Sequence, residues 1–451
     1  MKKIFSIAIL FAATALVLTG CKNEEDNFFD GSAAERLMQA QQIYTQRLGN
    51  TTWVMEYYPL DYTDLDPDSR EPYPAGLGYV ILNRFKSDCS VEQAMQNSVS
   101  KDKYLNDISV WEVIGDQGPV LSFNTFNKCI HAFADPGVNE TSKDLYQGRG
   151  YEGDYEFGVL SLEEGAPFCM LKGKKRGTYV RMSRLPNETD FKVYMQDIID
   201  FQKMLFEGSP TGDVIALGDT TFMFTRGDKG IAELYPVGGD AITENSWHPY
   251  LITKRDGKYY MRFREKIPRG NCDAQEFVYD AAQDMFVGVE NSAYTITGYA
   301  PGKFFDEYVQ NKPLTIKTDG EMSASFKQLM DDFAAELKKV NKNFVFTNIN
   351  FSLNSKESKY QWIMSYLSSG KVANQAYYFD YSANGDACTF NYTGASTTAA
   401  QNVINKCPAL KTLWDNLSQE WQITAADSKF NLKRIKLTSK TDANLWFVVT
   451  I

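Results

Sequence analysis

Apolar residues recur every three to four positions in four stretches of the chain, and each stretch predicts an amphipathic helix. The first predicted helix spans Ala33–Leu48, with Ser32 as its N-cap. The second spans Glu188–Phe206, the third Ser323–Val340 and the fourth Ala399–Leu417. Because the apolar positions line one side of each helix, we expect all four helices to pack against another layer of the protein.

Between the helices, apolar and polar residues alternate, which predicts antiparallel strands joined by turns. Asp256-Gly257 is a hairpin signal, and Gly118-Pro119 should close a turn that begins at Asp116. The predicted strands are Thr52–Tyr58, Gly78–Phe85, Ile108–Ile114, Val120–Phe123, Tyr155–Leu162, Thr178–Ser183, Thr221–Thr225, Ile231–Leu234, Tyr250–Lys254, Tyr259–Phe263, Phe344–Leu353, Gln361–Ser365, Gln375–Tyr381, Cys388–Tyr392, Leu432–Thr438 and Leu445–Ile451.

The order helix and then strand meander occurs three times, which predicts an α+β fold of predominantly antiparallel β meanders with packed helices. We expect curved or nearly closed sheets in two or three domains, with linkers near Pro186 and within Gly298–Gly320. The predicted organisation is a signal peptide (1–20), a lipidated tether (21–31), an N-terminal helix plus β domain (32–186), a middle helix plus β domain (187–298) and a C-terminal α+β domain (299–451).

The N-terminus has the pattern of an export signal. Lys2 and Lys3 precede the apolar run Ile4–Leu18, which is short for a membrane span. The sequence Leu18-Thr19-Gly20-Cys21 matches a bacterial lipobox, so Cys21 is the predicted lipidation site and lipid the predicted membrane contact. The alternative is an ordinary secreted protein with a chance cysteine.

Charge narrows the classes of partner. The chain has 47 Lys and Arg against 57 Asp and Glu, a net charge of −10, and loss of Lys2 and Lys3 brings it to about −12. No basic stripe is present, which disfavours nucleic acid and anionic lipid as partners. A hydrophobic content of 43% and an aromatic content of 14% favour a packed globular protein.

Besides Cys21, six cysteines remain, and an exported chain could pair them or bury them as free thiols. Both alternatives stay open from the sequence. The chain has no CxxC pair or Cys/His cluster, so no zinc site and no cofactor are predicted.

The sequence has no HExxH, GxSxG or P-loop pattern. Of the two histidines, His131 lies in an alternating, strand-like stretch and His248 in a predicted loop before a strand. Asp154 and Glu156 would point to the same side of a strand, which would allow the paired-carboxylate chemistry of a glycosidase, but the favoured interpretation is that they are solvated surface acids. No catalytic residue is therefore predicted.

Two weaker hypotheses concern the region after the first strand. Oxygen donors at Asp61, Asp64, Asp66 and Asp68 could hold Ca²⁺, the alternative being a solvated acidic loop. The rings of Tyr57, Tyr58, Tyr62 and Tyr73 could stack on sugars if they are exposed, the alternative being that they fill the core.

Several stretches resemble one family. The acidic tract Cys21–Asp26 is similar to the export signal of Bacteroidota surface lipoproteins, although Asn23 interrupts the lysine-plus-acids pattern. With Phe29–Arg36, Asp116–Asn127, Gly153–Phe157 and Leu171–Lys175, the chain resembles the Bacteroidota outer-membrane lipoprotein family catalogued as domain of unknown function 4302. The resemblance implies a setting beside nutrient-uptake components, and the family brings no established activity.

These observations predict a lipoprotein anchored in the outer membrane at the cell surface. We expect it to bind an extracellular glycan, peptide or nutrient-uptake partner without catalysing a reaction. One alternative is a carboxylate-dependent hydrolase of polysaccharide or peptide. Another is a structural accessory subunit of an outer-membrane transporter.

Overall fold

The computed structural model describes residues 31–61, 74–137, 150–206, 212–226, 230–238, 247–268 and 272–451. Each of its three sheets has eight antiparallel strands connected in chain order, and the first two sheets close into barrels. We call them the first barrel (β1–β8), the second barrel (β9–β16) and the C-terminal sheet (β17–β24). A helix precedes each of them. The predicted antiparallel meanders are therefore confirmed, and the protein is richer in β structure than a general α+β description suggests.

The first barrel begins after a helix with a complete capping box. The Ser32 backbone N–H donates to Glu35 Oε2 at 2.7 Å, and the Glu35 backbone N–H donates to Ser32 Oγ at 3.3 Å. The predicted helix is thus confirmed to the residue. The elements of this unit are α1 (Ala33–Leu48), β1 (Thr51–Tyr57), β2 (Tyr79–Phe85), β3 (Ser90–Met95), β4 (Leu105–Gly115), β5 (Pro119–Phe123), β6 (Glu156–Ser161), β7 (Phe168–Gly173) and β8 (Tyr179–Leu185).

The second barrel repeats this order, and the Asp256-Gly257 turn joins two of its strands as predicted, since Arg255 pairs with Lys258. His248 lies inside one of these strands and pairs with Ala232, so its predicted place in a loop is wrong. The elements are α2 (Phe191–Phe206), β9 (Asp213–Leu217), β10 (Thr220–Arg226), β11 (Ile231–Pro236), β12 (Trp247–Arg255), β13 (Lys258–Phe263), β14 (Glu276–Asp280), β15 (Met285–Gly288) and β16 (Tyr294–Thr297).

The C-terminal sheet is preceded by a helix, in a stretch that was predicted to be a linker. The elements are α3 (Pro301–Asn311), β17 (Leu314–Lys317), α4 (Ala324–Val340), β18 (Phe344–Asn354), β19 (Lys359–Ser368), β20 (Lys371–Asn384), β21 (Ala387–Ala395), α5 (Thr398–Lys406), α6 (Pro408–Leu417), β22 (Glu420–Ala425), β23 (Arg434–Ser439) and β24 (Trp446–Thr450).

Two helix predictions need correction in this unit, and proline explains both. Pro301 stands in the first turn of α3, where a missing N–H costs no hydrogen bond, so the proline starts a helix and does not mark a linker. The single helix predicted over 399–417 is two helices, because Pro408 begins α6 immediately after Cys407.

The first and second barrels share one continuous hydrophobic core, and the C-terminal sheet has its own. All seven residues of β1 are buried, because one side of the strand faces the interior of the first barrel and the other side is covered. Whether each unit folds alone, as the predicted domain division assumes, stays a prediction.

A buried charge network joins the two barrels. The Arg181 guanidinium donates to Glu56 Oε1 at 2.9 Å and also contacts Glu276, while Arg262 donates to Glu56 Oε2 at 3.2 Å. Arg255 completes the network on Glu276. Since the Glu56 side chain is 0% exposed, its charge is balanced within the protein, by Arg181 of its own barrel and Arg262 of the second barrel.

Among the described residues, no helix is long and apolar enough to cross a membrane.

Candidate functional site

A cleft of about 790 Å³ opens beside the first barrel, where the β5–β6 connection meets the turn between β7 and β8. Among the described residues, its walls carry three acidic and three basic side chains, which makes this part of the lining neutral overall. The charged lining residues are Glu152, Asp154, Glu156, Lys174, Lys175 and Arg176.

Asp154 anchors the two walls of the cleft to one another. Its residue is only 4% exposed, and its two carboxylate oxygens accept backbone N–H groups from Lys175 at 2.9 Å and Arg176 at 2.8 Å. Burial raises the pKa of this carboxyl, although the two backbone hydrogen bonds oppose the shift. The side chain therefore fixes the β7–β8 turn, and it is not one of the solvated acids that the sequence pattern suggested.

Two glycines permit this close packing. A Cβ atom at Gly173 would lie 2.2 Å from Asp154 Oδ2, and one at Gly153 would lie 2.3 Å from Tyr57 Oη. The Tyr57 hydroxyl donates to the Asp154 carbonyl oxygen at 2.9 Å, which ties the cleft to the barrel interior. Any larger residue at either glycine would force the walls apart.

Ion pairs hold the rim of the cleft. Lys174 Nζ lies 3.0 Å from Asp116 Oδ2 and 3.1 Å from Glu156 Oε2, and Arg176 Nη2 lies 2.9 Å from Glu152 Oε1. The hydrogen bond with Asp116, followed by that with Glu156, raises the pKa of Lys174. Because these pairs are partly exposed, they order the rim more than they stabilise the fold.

A row of three rings lies beside the cleft. Phe126 and His131 have ring centroids 5.5 Å apart, and His131 and Tyr155 are stacked at 4.7 Å. Phe126 is 67% exposed and Tyr155 is 42% exposed. Exposed aromatic rings in a group are uncommon on soluble proteins and mark binding surfaces.

His131 is held in a fixed position between these rings. It begins a 3₁₀ turn (His131–Phe133), so the predicted strand at this position is wrong. The Asn127 backbone N–H donates to His131 Nδ1 at 3.2 Å, and burial lowers the pKa of the imidazole. A local side-chain-to-backbone bond thus outweighs the alternating pattern that suggested a strand.

The tyrosines predicted to stack on sugars are not available for that role where the structure describes them. Tyr57 is 0% exposed and Tyr58 is 2% exposed, so these two rings fill the core, which was the alternative to sugar stacking. Tyr58 Oη donates to the Arg262 carbonyl oxygen at 3.2 Å, which makes it a contact between barrels. Tyr62 and Tyr73 lie outside the described residues.

The other predicted sites remain largely outside the described residues. Of the candidate calcium ligands, Asp61 is exposed, whereas Asp64, Asp66 and Asp68 lie outside, as does the lipidation site Cys21. The parts of the chain that the structure describes hold no group of three side chains suited to a metal ion.

All six described cysteines are free thiols, which decides between the two alternatives left open by the sequence. Four of them are buried: Cys129, Cys169, Cys388 and Cys407.

The cleft combines two stretches that the sequence analysis singled out for another reason. Gly153–Phe157 and Leu171–Lys175 are both among the stretches that resemble the family, and the structure brings them together through Asp154 and Lys175. Sequence reasoning missed the ring row, because Phe126 and Tyr155 are far apart along the chain. The signal for the cleft that the sequence did offer was the grouping of glycines with charged residues in these two stretches.

A family model described as "Domain of unknown function (DUF4302)" matches residues 25–281, more than half of the chain. The chain belongs to this family. The matched range includes the whole first barrel with its cleft, α2, and the second barrel as far as β14. The C-terminal sheet lies beyond it.

Among solved structures, the chain is similar to two crystal structures of transferrin-binding protein B, each at 7% identity and a TM-score of 0.15. One is from serogroup B Neisseria meningitidis and the other is a mutant from Haemophilus parasuis Hp5. Each alignment covers 88% of this chain and 74% of the other. Similarity at this level carries no argument about the function of this chain. No curated protein matches it.

Proposed function

We propose that this protein is a surface-anchored, non-enzymatic lipoprotein that binds an extracellular ligand in the cleft of the first barrel. The observation that carries the proposal is the cleft of about 790 Å³ with a neutral, charge-paired lining beside the exposed rings of Phe126 and Tyr155. Ligand sites typically combine a concave surface, aromatic contact area and a few fixed polar groups.

The rigidity of the cleft favours binding. Asp154 holds the β7–β8 turn through two backbone hydrogen bonds, and Tyr57 holds the opposite wall. A ligand that enters such a preformed site does not have to order its walls, which lowers the entropic cost of association.

The same contacts argue for binding over hydrolysis. A general acid must reach the substrate, but both carboxylate oxygens of Asp154 are engaged by backbone N–H groups. Glu156 is paired with Lys174. The raised pKa of Asp154 follows from burial in a structural contact, and no second observation turns the pair into catalytic carboxylates.

The binding proposal can be tested with a defined mixture of neutral oligosaccharides and tryptic casein peptides added to the mature protein. We expect slower amide hydrogen exchange in residues 150–155 and 174–177, the two walls of the cleft, and intact ligand afterwards. The turn between β18 and β19 provides a control segment that should not change. Protection confined to other surfaces would contradict the location of the site, and turnover of either ligand class would contradict the non-enzymatic assignment.

The anchor is tested separately in whole cells. If Cys21 carries lipid, labelled palmitate should enter the protein, and the Cys21→Ser variant should lose the label and leave the membrane fraction. Protease added to intact cells should remove the wild-type protein from the surface. Complete protection from protease would contradict surface display while leaving the cleft proposal intact.

A further inference from the structure

We infer that the ligand of this cleft is a neutral carbohydrate, with a sugar ring lying against Tyr155 and its hydroxyl groups bonded to the charged rim. The inference rests on the proposed function and adds the chemical class of ligand to it. Three features of the site carry it: the balance of charge among the described lining residues, the supported ring, and the paired backbone of β6 and of the β7–β8 turn.

Charge balance favours a ligand without net charge. The described lining holds three acids and three bases, and ion pairs join Lys174 to Glu156 and Arg176 to Glu152. Because neither sign is in excess among these residues, a ligand with a large net charge would compete with the existing ion pairs. Sugar hydroxyls both donate and accept hydrogen bonds, so they can bond to a carboxylate and an ammonium group together without separating them.

Tyr155 has the properties of a stacking platform. One face of its ring is stacked against His131 at 4.7 Å, and the residue is still 42% exposed. The Asn127 N–H donates to His131 Nδ1 and so fixes the imidazole, and burial lowers the pKa of this group. A ring supported from behind loses little side-chain entropy when a flat apolar face of a sugar packs against it. Phe126 extends the row beyond His131.

The backbone of the cleft offers little to a peptide. Peptides that add to a sheet need an open strand edge, but β6 pairs with β5 on one side and with β7 on the other. The backbone N–H groups of Lys174, Lys175 and Arg176 donate to Glu156 O and the two Asp154 oxygens. The gain in binding energy must therefore come from side chains, as it does for sugars.

The decisive experiment is calorimetric titration of the mature protein with single probes. We would use maltohexaose, cellohexaose, xylohexaose and mannohexaose as neutral oligosaccharides, and a tryptic casein digest as the peptide probe. We expect at least one neutral oligosaccharide to bind, with an affinity that changes less than about twofold between roughly 50 and 500 mM NaCl, because an uncharged ligand is not screened by salt.

Substitutions then place the sugar on the ring row. Tyr155→Ala should weaken binding about tenfold, since it removes the stacking surface, whereas Tyr155→Phe should stay within about twofold of the wild type. Phe126→Ala supplies a second test at a 67% exposed position, where folding is not at stake. Tyr179→Ala is the matched control, because that ring is 63% exposed and does not line the cleft.

The outcomes separate the two proposals. If peptides bind and are lost in Tyr155→Ala while no neutral oligosaccharide binds, the cleft is a binding site and the carbohydrate inference is wrong. If neither class binds at the cleft, both proposals are wrong. Sugar binding that Tyr155→Ala leaves unchanged would overturn the placement on the ring row.

Discussion

In the first barrel, a connection between its own strands packs over Tyr57, whereas the second barrel receives a residue from the C-terminal sheet. In the first barrel, the β5–β6 connection brings Phe133 against Tyr57 at a centroid distance of 5.0 Å. In the second, Phe430 from the β22–β23 connection is 0% exposed and packs against Phe286 at 5.6 Å. Two sheets of the same topology are thus completed in different ways.

This difference separates the contacts that hold the second barrel in place from the region that forms the cleft. The second barrel is bound on both sides, through Glu276 to the first barrel and through Arg226 and Asp284 to the segment around Phe430. In the first barrel, the connection that packs over Tyr57 also supplies one wall of the cleft and the exposed rings. We therefore expect substitutions in the second barrel to change stability and those at the cleft to change binding.

The largest expected effect is on the network that joins the barrels. Glu56→Ala leaves the largely buried Arg262 without its carboxylate partner and Arg181 with Glu276 alone, so the free energy of unfolding should fall by about 3–5 kcal/mol. Urea unfolding measures the change. As a control, Lys411→Ala removes an exposed pair with Asp415 and should cost less than about 0.5 kcal/mol. A similar small loss for both variants would mean that water screens the network.

The loss of stability should be nearly as large when Phe430, the aromatic residue that the C-terminal sheet supplies to the second barrel, is truncated. Phe430→Ala removes a fully buried ring from the second barrel and should lower the free energy of unfolding by about 3 kcal/mol. We also expect faster proteolysis at the junction between the second barrel and the C-terminal sheet. The same change at exposed Phe126 should cost less than about 0.5 kcal/mol. Equal losses at the two positions would remove the distinction between the barrels.

A pH-dependent effect should occur in the second barrel. Burial raises the pKa of Asp213 to about 6, against the opposing effect of the paired Arg226. The folded state therefore favours the protonated acid, and this contribution to stability is complete below about pH 4 and is lost as the pH rises to about 6. Relative to Asp213→Asn, the wild-type melting temperature should fall across that window. Parallel melting curves for the two proteins would contradict the shift, and exposed Asp415→Asn serves as the control.

The smallest expected effect is that of a reducing agent. With six free thiols, neither barrel has a disulfide to lose, so a phosphine reductant should shift the melting temperature by less than about 1 °C. Partly exposed Cys89 and Cys272 should react first with a thiol reagent. Burial raises the pKa of Cys129 and Cys169 to about 12, so these should react only after unfolding. A large shift on reduction would reveal a pairing that the described thiols do not make.

Local signals predicted much of the fold because they depend on nearby residues. Ser32 and Glu35 form their capping box within one turn, and Asp256-Gly257 needs only its two flanking strands. The prediction failed at β3, whose central Gln93 is polar yet 0% exposed, because it bonds to Asn83 on the neighbouring strand. That hydrogen bond exists only after the sheet has formed, so no local pattern could reveal it.

The candidate site was less predictable than the fold. The sequence drew attention to tyrosines after the first strand, but Tyr57 and Tyr58 are covered by packing that comes from distant parts of the chain. It also suggested that Asp154 was a solvated acid, whereas the turn at Lys175 and Arg176 folds over its carboxylate. Exposure depends on long-range packing, and aromatic composition alone does not determine it.

By itself, the sequence determined the helix–meander order and the turn positions, because periodicity and turn residues act over a few neighbouring residues, and it predicts an anchor at Cys21. Only the tertiary structure decided that the meanders close into barrels, that Phe430 completes the second barrel and that Phe126, His131 and Tyr155 meet beside a neutral cleft. Those features require contacts between residues far apart in the chain, and such contacts form only when the sheets close and pack.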